Sequence, residues 1–481
     1  MSEQTEPIKL KPVKKGDIVT LTVLDMGFEG KSVAKIDDYV VFLQQTVTGD
    51  VVEAEILKAK TSYAEGKVRS IIKPSELRVT PKCTHTSDCG GCKWQHVDYD
   101  SQLKAKEKHV WDGLTRVGGL KEFPFSPIIG SESVFFYRNK MEFSFSDNRW
   151  LPVAEINQDS GKPKNFALGL HVPGRFDKIV DIDECFLQST ESNKILTCLK
   201  NFGLKRNLSC WNEKTHFGFL RNLIVRQSSN TDDLMVVLVT SSNEPDLMNE
   251  LSEIMRSDLP FVKSFINIIH SGRGPVPKGE GEFVIFGNPI LTEKLLGVEF
   301  TVHPNSFFQT NTKQAERLFK AAFDASDLNK NDILYDLYCG PGTIGLIAAN
   351  RVRQVVGIEL VPEAIENATE NAKRNQIENA EFFTGDVKNN LEQIQQWKNK
   401  YGNPTIIVVD PPRAGLHEDV AKSLPDFGAD RILYISCNPM TQARDLKIIM
   451  EKGNYKITFV QPVDMFPHTY HIENIVVLKK F

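Results

Sequence analysis

From Phe307 onward the chain repeats one pattern, a short apolar run followed by a helical stretch. The runs ILYDLY (333–338), VVGIEL (355–360), AEFFTG (380–385), TIIVVD (405–410) and RILYIS (431–436) stand at βαβ spacing. Strands apolar throughout are buried on both faces, so this half of the chain is held to a parallel sheet covered by helices on both sides. Two more strands, YKITFVQPVDMF and ENIVVLKK, are separated by a short loop. So short a connection joins antiparallel neighbours, which makes the final strand antiparallel.

Open α/β sheets bind ligands beyond the carboxyl ends of their strands. There the sequence places Asp336-Leu337-Tyr338-Cys339-Gly340-Pro341-Gly342-Thr343, a tight turn between a strand and the helix IGLIAAN. Its glycines allow the turn and a close ligand approach. Glu359 ends the next strand, where ribose hydroxyls are commonly held. A nicotinamide cofactor would suit a Gly-x-Gly in that context, but the third glycine of G-x-G-x-x-G is absent. D-L-x-C-G-x-G looks instead like an S-adenosylmethionine turn, with Asp336 near the amino-acid end of the cofactor and Glu359 on the ribose.

Three reactive groups share that edge. Asp410, in Asp410-Pro411-Pro412-Arg413, follows one parallel strand; Cys437, in Ser436-Cys437-Asn438-Pro439, follows the next; and Glu473, in His471-Ile472-Glu473, begins the antiparallel one. A thiolate beside a base can attack an electron-poor carbon and later remove a proton from it. Asp-Pro-Pro alone would also suit an amino-methyltransferase, yet that chemistry needs no cysteine after the next strand. A lone strand-end cysteine is ordinarily inert packing; here Ser436, Asn438 and Pro439 point to an exposed, shaped loop. Cys339, inside the cofactor turn, is the weaker nucleophile.

The first half reads differently. DIVTLTVLDMG, YVVFLQ, VVEAEILKA and AEGKVRSII alternate apolar and polar residues between glycine turns, as strands of a small all-β barrel do, a common nucleic-acid module. A mixed α+β region follows, with a helix from Tyr99 to Val117, buried strands around LMVVLVTS and SFINIIH, and a polar loop at 157–165. Net charge is −4, but residues 60–121 are locally basic, and binding a nucleic-acid backbone needs only such a stripe, with a solvated charged face as the alternative. The N-terminus lacks the apolar core of a secretory signal and no run is long enough to cross a bilayer, so the expectation is a cytoplasmic protein without a membrane partner. Eight cysteines then favour metal ligation and catalysis over disulfides. Cys83-x5-Cys89-x2-Cys92 gives three thiols in one loop, and Cys185 supplies a fourth. Four thiolates could take zinc, but three plus one fits a cubane iron–sulfur cluster better. Cys198 and Cys210 read as core or surface residues.

On C-x5-C-x2-C with Cys185, PNSFFQTN (304–311), DLYCGPGT, DPPR, SCNP and HIEN, the chain resembles the RNA uracil-C5-methyltransferases over nearly its whole length. The resemblance implies an N-terminal TRAM (OB-like) β-barrel at 8–74, an iron–sulfur loop and α+β middle domain at 75–305, and a seven-stranded Rossmann-like methyltransferase domain at 306–481. It implies a [4Fe–4S] cluster on Cys83, Cys89, Cys92 and Cys185, and S-adenosylmethionine contacts from Gln309, Tyr338, Glu359 and Asp410. Cys437 becomes the nucleophile that adds to uracil C6, and Glu473 the base that removes the C5 proton. A thiol must ionise to act, so its site is expected to lower its pKa. The expected partner is RNA, 23S ribosomal RNA first and a transfer RNA T-loop uridine second, with the enzyme a monomer. A non-catalytic RNA-binding iron–sulfur protein is the reading from another class, and the intact Cys437 and Glu473 speak against it.

Overall fold

The computed structural model describes residues 11–156, 161–274, 279–388 and 391–481. Residues 8–10 of the expected barrel and 157–160 of the expected polar loop lie outside the described residues.

Five strands close into a barrel in the order Ile18–Met26, Ser32–Ile36, Tyr39–Leu43, Tyr63–Lys73, Val51–Ala59. Val52, Ala54 and Ile56 are fully buried while Glu53 and Glu55 are not, the period-two alternation that fills a barrel from inside.

The middle region builds a seven-stranded sheet in the order Gly281–Phe286, Ser264–Ile269, Leu234–Thr240, Leu220–Gln227, Lys140–Ser146, Ala167–His171, Ile179–Asp181. The strand Leu234–Thr240 is buried at every position. Leu234, Val236 and Leu238 turn to a core that includes the helices Thr190–Lys205 and Pro245–Asp258. Met235, Val237 and Val239 turn the other way, into a core shared with the hairpin Leu291–Val302 and the helix Thr312–Ser326. The middle sheet and the C-terminal sheet thus share one core.

The C-terminal sheet runs Ala380–Thr384, Gln354–Glu359, Ile333–Leu337, Ile406–Val409, Arg431–Ser436, Glu473–Lys480, Tyr455–Val463. Glu473–Lys480 is antiparallel to both neighbours; the other pairings are parallel. Strand order reverses beside Ile333–Leu337, which opens the crevice where this fold binds ligands.

The helix Tyr99–Asp112 is capped by Asp98, whose side chain accepts from Ser101 N–H. Lys106 on this helix reaches the C-terminal domain, where its Nζ lies 2.5 Å from Asp464 Oδ1, both side chains fully buried. Among the described residues no helix is long and apolar enough to cross a membrane.

Candidate active site

The turn after Ile333–Leu337 is shaped by three left-handed residues, Tyr338 (φ 72°), Gly340 (φ 53°) and Gly342 (φ 80°). Tyr338 and Cys339 N–H both donate to Ile358 O, at 2.9 and 3.1 Å, which bends the chain over the neighbouring strand. Glu359 ties that strand's end to the turn, its carboxylate accepting from Gly340 N–H (3.2 Å) and Val361 N–H (3.1 Å). Gly357 leaves the room underneath, since a Cβ there would meet Phe382 at 2.3 Å. Asp336 lies fully buried below, one oxygen accepting from Gly345 N–H (2.9 Å) and the other without a partner. Burial, with Asp410 and Glu359 near it, pushes its carboxyl up to about 7.

Above the turn opens a cavity of about 930 Å³ lined by Gln309, Tyr338, Glu359 and Asp410 together. That volume suits a nucleoside cofactor. Gln309 reaches it from a loop fixed by the middle sheet. Asn139 Nδ2 donates to Gln309 O and to Thr312 Oγ1, both at 2.8 Å, and Arg226 donates to Pro304 O (2.9 Å) and Ser306 O. Sequence reasoning missed Asn139 and Arg226; a cation inside the apolar strand LRNLIVRQ was the available signal.

Cys437 stands between the end of Arg431–Ser436 and Asn438, which caps the helix Pro439–Lys452 through Met440 N–H. Ser436 pairs with Asn474 across the antiparallel ladder, which brings Cys437 and Glu473, the next positions outward, within electrostatic reach of each other. Asp410 and Arg413 act electrostatically on both. Cys437 is half-buried and Glu473 is 6% exposed. Arg413 is exposed; its carbonyl is held by Asn438 Nδ2 (3.1 Å), and its guanidinium donates to the His471 ring at 3.3 Å.

The electrostatics correct one expectation. The Cys437 thiol is not lowered but pushed up to about 12, by burial first and then by the Glu473 and Asp410 carboxylates, against Arg413. A helix N-terminus favours a thiolate, but here burial and like charge outweigh it. Burial pushes Asp410 up to about 7, and burial with the Asp410 charge raises Glu473 well above the carboxylate range. The resting crevice therefore keeps the proton on its thiol at neutral pH.

Cys83, Cys89, Cys92 and Cys185 line a second, small cavity with Leu170, Ile182 and Leu187 among its apolar walls. Burial pushes the Cys89 and Cys92 thiols up to about 12 and raises those of Cys83 and Cys185. Among the described residues, no group of three or more His, Cys, Asp or Glu is arranged to hold a metal ion.

The sheet order, the glycine turn and the crevice at the switch point are those of S-adenosylmethionine-dependent methyltransferases. The model of the tRNA (uracil-5-)-methyltransferase family matches residues 291–481, and the TRAM domain model matches 12–68. A Bacteroides thetaiotaomicron protein named as an uncharacterized RNA methyltransferase is 42% identical over 94% of this chain and 100% of its own. A relative of the same description from Chlorobaculum tepidum is 40% identical over 97% of both. The crystal structure of Pyrococcus abyssi tRNA (uracil-54, C5)-methyltransferase with S-adenosyl-L-homocysteine covers 95% of this chain and 99% of its own, at 28% identity and TM-score 0.72. The chain belongs to the RNA (uracil-5-)-methyltransferase family and is an S-adenosylmethionine-dependent enzyme.

Proposed function

We propose that this enzyme methylates C5 of a uridine in 23S ribosomal RNA through a covalent adduct on Cys437. One observation carries the mechanism: Cys437 and Glu473 lie just beyond the last ladder pair, Ser436 and Asn474, with Asp410 from the cofactor cavity acting on both.

Uracil C5 is too weakly nucleophilic to take a methyl group unaided. Cys437 gives up its proton to the Asp410 carboxylate, which leaves Glu473 free for the later step, and its sulfur adds to C6. The electrons of the C5–C6 double bond move toward O4, which makes C5 an enolate carbon. S-Adenosylmethionine supplies a methyl on a positively charged sulfur, and Gln309, Tyr338, Glu359 and Asp410 are the residues that would hold it. Glu473 then takes the C5 proton, the C5–C6 double bond re-forms, and Cys437 leaves. Arg413 borders the crevice and offsets part of the negative charge near Cys437 and Glu473. A stacked uridine cannot reach this site, so the base must be flipped out of its RNA.

The four cysteines fit a [4Fe–4S] cluster. They share one cavity with apolar walls, and a cubane holds its thiolates at four corners, wider apart than the ligands of a single ion. Such a cluster would supply a fixed cross-link for the surrounding loop, since methyl transfer moves no net electrons. Iron and sulfide content after anaerobic purification tests it. A monomer acting in the cytoplasm completes the reading.

Ribosomal RNA leads because the smaller transfer RNA members of the family commonly lack both the barrel and the cysteine set. A transfer RNA T-loop uridine is the second reading, favoured by the likeness to the archaeal tRNA (uracil-54, C5)-methyltransferase over 95% of this chain. Mapping 5-methyluridine in cells with and without the gene separates them; loss confined to transfer RNA overturns the first. With 5-fluorouridine RNA and cofactor the enzyme should form a denaturant-resistant adduct that Cys437→Ala abolishes. No adduct from wild type on either RNA class would sink the mechanism.

A further inference from the structure

The segment 464–472 joins the last two strands and delivers Glu473 to the crevice. It is also where the rest of the molecule takes hold. Phe28, from a turn of the barrel, packs its ring edge against Tyr470 at 6.3 Å. Lys93 and Trp94, beside the cysteine loop, both donate backbone N–H to His468 O at 2.9 Å.

His468 is the pivot. It is 5% exposed and its φ is 64°, a left-handed conformation few residues with a side chain adopt. Gln102, fully buried on the helix Tyr99–Asp112, clasps it at two points. Its Oε1 accepts from His468 N–H at 2.8 Å, and its Nε2 lies 3.2 Å from His468 Nδ1. The same Nε2 donates to Trp94 O (3.0 Å) and Val97 O (2.9 Å), which fixes the carboxamide itself. Cys437 is held separately, by its own strand and by the cap at Asn438, and none of these hydrogen bonds touches it. The clasp therefore acts on the segment that leads into Glu473 and has no direct hold on Cys437.

We propose that Gln102 and His468 are positioning residues for Glu473, needed for removal of the C5 proton but not for thiol addition or methyl transfer. The inference rests on the reading of Glu473 as the base. After methyl transfer C5 carries both a methyl group and a hydrogen, and C6 is bonded to sulfur. Glu473 takes the hydrogen as a proton, its bonding electrons form the C5–C6 double bond, and the C6–S pair leaves with Cys437. A displaced Glu473 stalls the enzyme on methylated, covalently held RNA.

The test uses full-length protein, total RNA from cells lacking the enzyme, and S-adenosylmethionine labelled in its methyl group. Formation and decay of label on denatured protein–RNA complex are followed in a single turnover. Glu473→Gln is the reference and should trap labelled RNA. Gln102→Leu removes the clasp, and His468→Val puts a β-branched residue where φ is positive; each should slow decay roughly tenfold to a hundredfold with formation nearly unchanged. His468→Asn, which tolerates that φ, should decay as wild type does. Decay at the wild-type rate in Gln102→Leu, or equal slowing of formation and decay, overturns the inference. Should His468→Val fail to fold, Gln102→Leu decides alone. If Glu473→Gln itself traps nothing, the base assignment falls and the clasp with it. If Glu473→Gln traps RNA and the clasp variants do not, only the clasp falls.

Discussion

Replacing Glu473 by Gln should make Cys437 more reactive toward a simple alkylating agent even as it abolishes turnover. Residues opposite each other across an antiparallel pair have Cβ atoms about 4.5–5.5 Å apart; for two groups just beyond the last such pair, a charge separation of roughly 6 Å is the working value. At an effective dielectric of about 20 their repulsion is about 3 kcal/mol, or roughly two pKa units. Glutamine keeps the shape and burial of the site and removes the charge. The thiol, raised to about 12 in part by that carboxylate, should then titrate lower. Two units give about a hundredfold more thiolate, while the less basic sulfur loses roughly six- to tenfold in intrinsic nucleophilicity. The net expectation is alkylation about tenfold faster in the variant. Iodoacetamide labelling at about pH 9 gives the rate by mass spectrometry of the peptide carrying Cys437. An unchanged or slower rate would refute the electrostatic account of this crevice.

Three further substitutions probe what surrounds it. Gly357→Ala places a Cβ 2.3 Å from Phe382 and 3.1 Å from Cys339 Sγ. Overpacking of about 1–3 kcal/mol under the cofactor turn should weaken S-adenosylmethionine binding roughly tenfold by calorimetry, and an unchanged affinity counts against that role for the turn. Lys106→Met leaves the buried Asp464 carboxylate without its cation and should cost about 3–5 kcal/mol in urea unfolding. A loss below about 1 kcal/mol would mean the pair is not buried as described. Asn139→Ala frees the loop carrying Gln309 by removing hydrogen bonds to Gln309 O and Thr312 Oγ1. It should raise the dissociation constant for the cofactor about tenfold while leaving iodoacetamide labelling of Cys437 unchanged.

The catalytic half was legible because its central strands are buried on both faces and so announce themselves as apolar runs. Once their order is fixed, the residue after each strand falls at the ligand edge, which is how Asp410, Cys437 and Glu473 could be gathered from sequence. The middle region was harder for the same physical reason. Leu234–Thr240 is equally apolar, but its alternate side chains serve two cores, and a pattern of hydrophobicity does not say what covers each face. The sign of the Cys437 shift was missed because the expectation was argued from what the reaction needs, whereas the opposing carboxylates come from another loop and from the neighbouring strand. The clasp at 464–472 was out of reach altogether. Gln102 and Lys106 meet His468 and Asp464 across 366 and 358 residues of chain.

A protonated resting nucleophile is consistent with the task. In the proposed mechanism Cys437 and an electrophilic methyl group occupy adjoining spaces, so a free thiolate could be methylated by the cofactor before any RNA arrived. Burial and two neighbouring carboxylates keep the sulfur neutral, and a neutral thiol is a poor nucleophile. Ionisation then has to be coupled to arrival of the base, when a carboxylate can take the thiol proton and the charge can pass at once onto the uracil ring. The same carboxylates have to return the site to its starting state, Glu473 by accepting the C5 proton as sulfur departs. A crevice that raises the pKa of its thiol and of its base together therefore serves both halves of the cycle, where a site tuned only to make a thiolate would serve the first and endanger the enzyme.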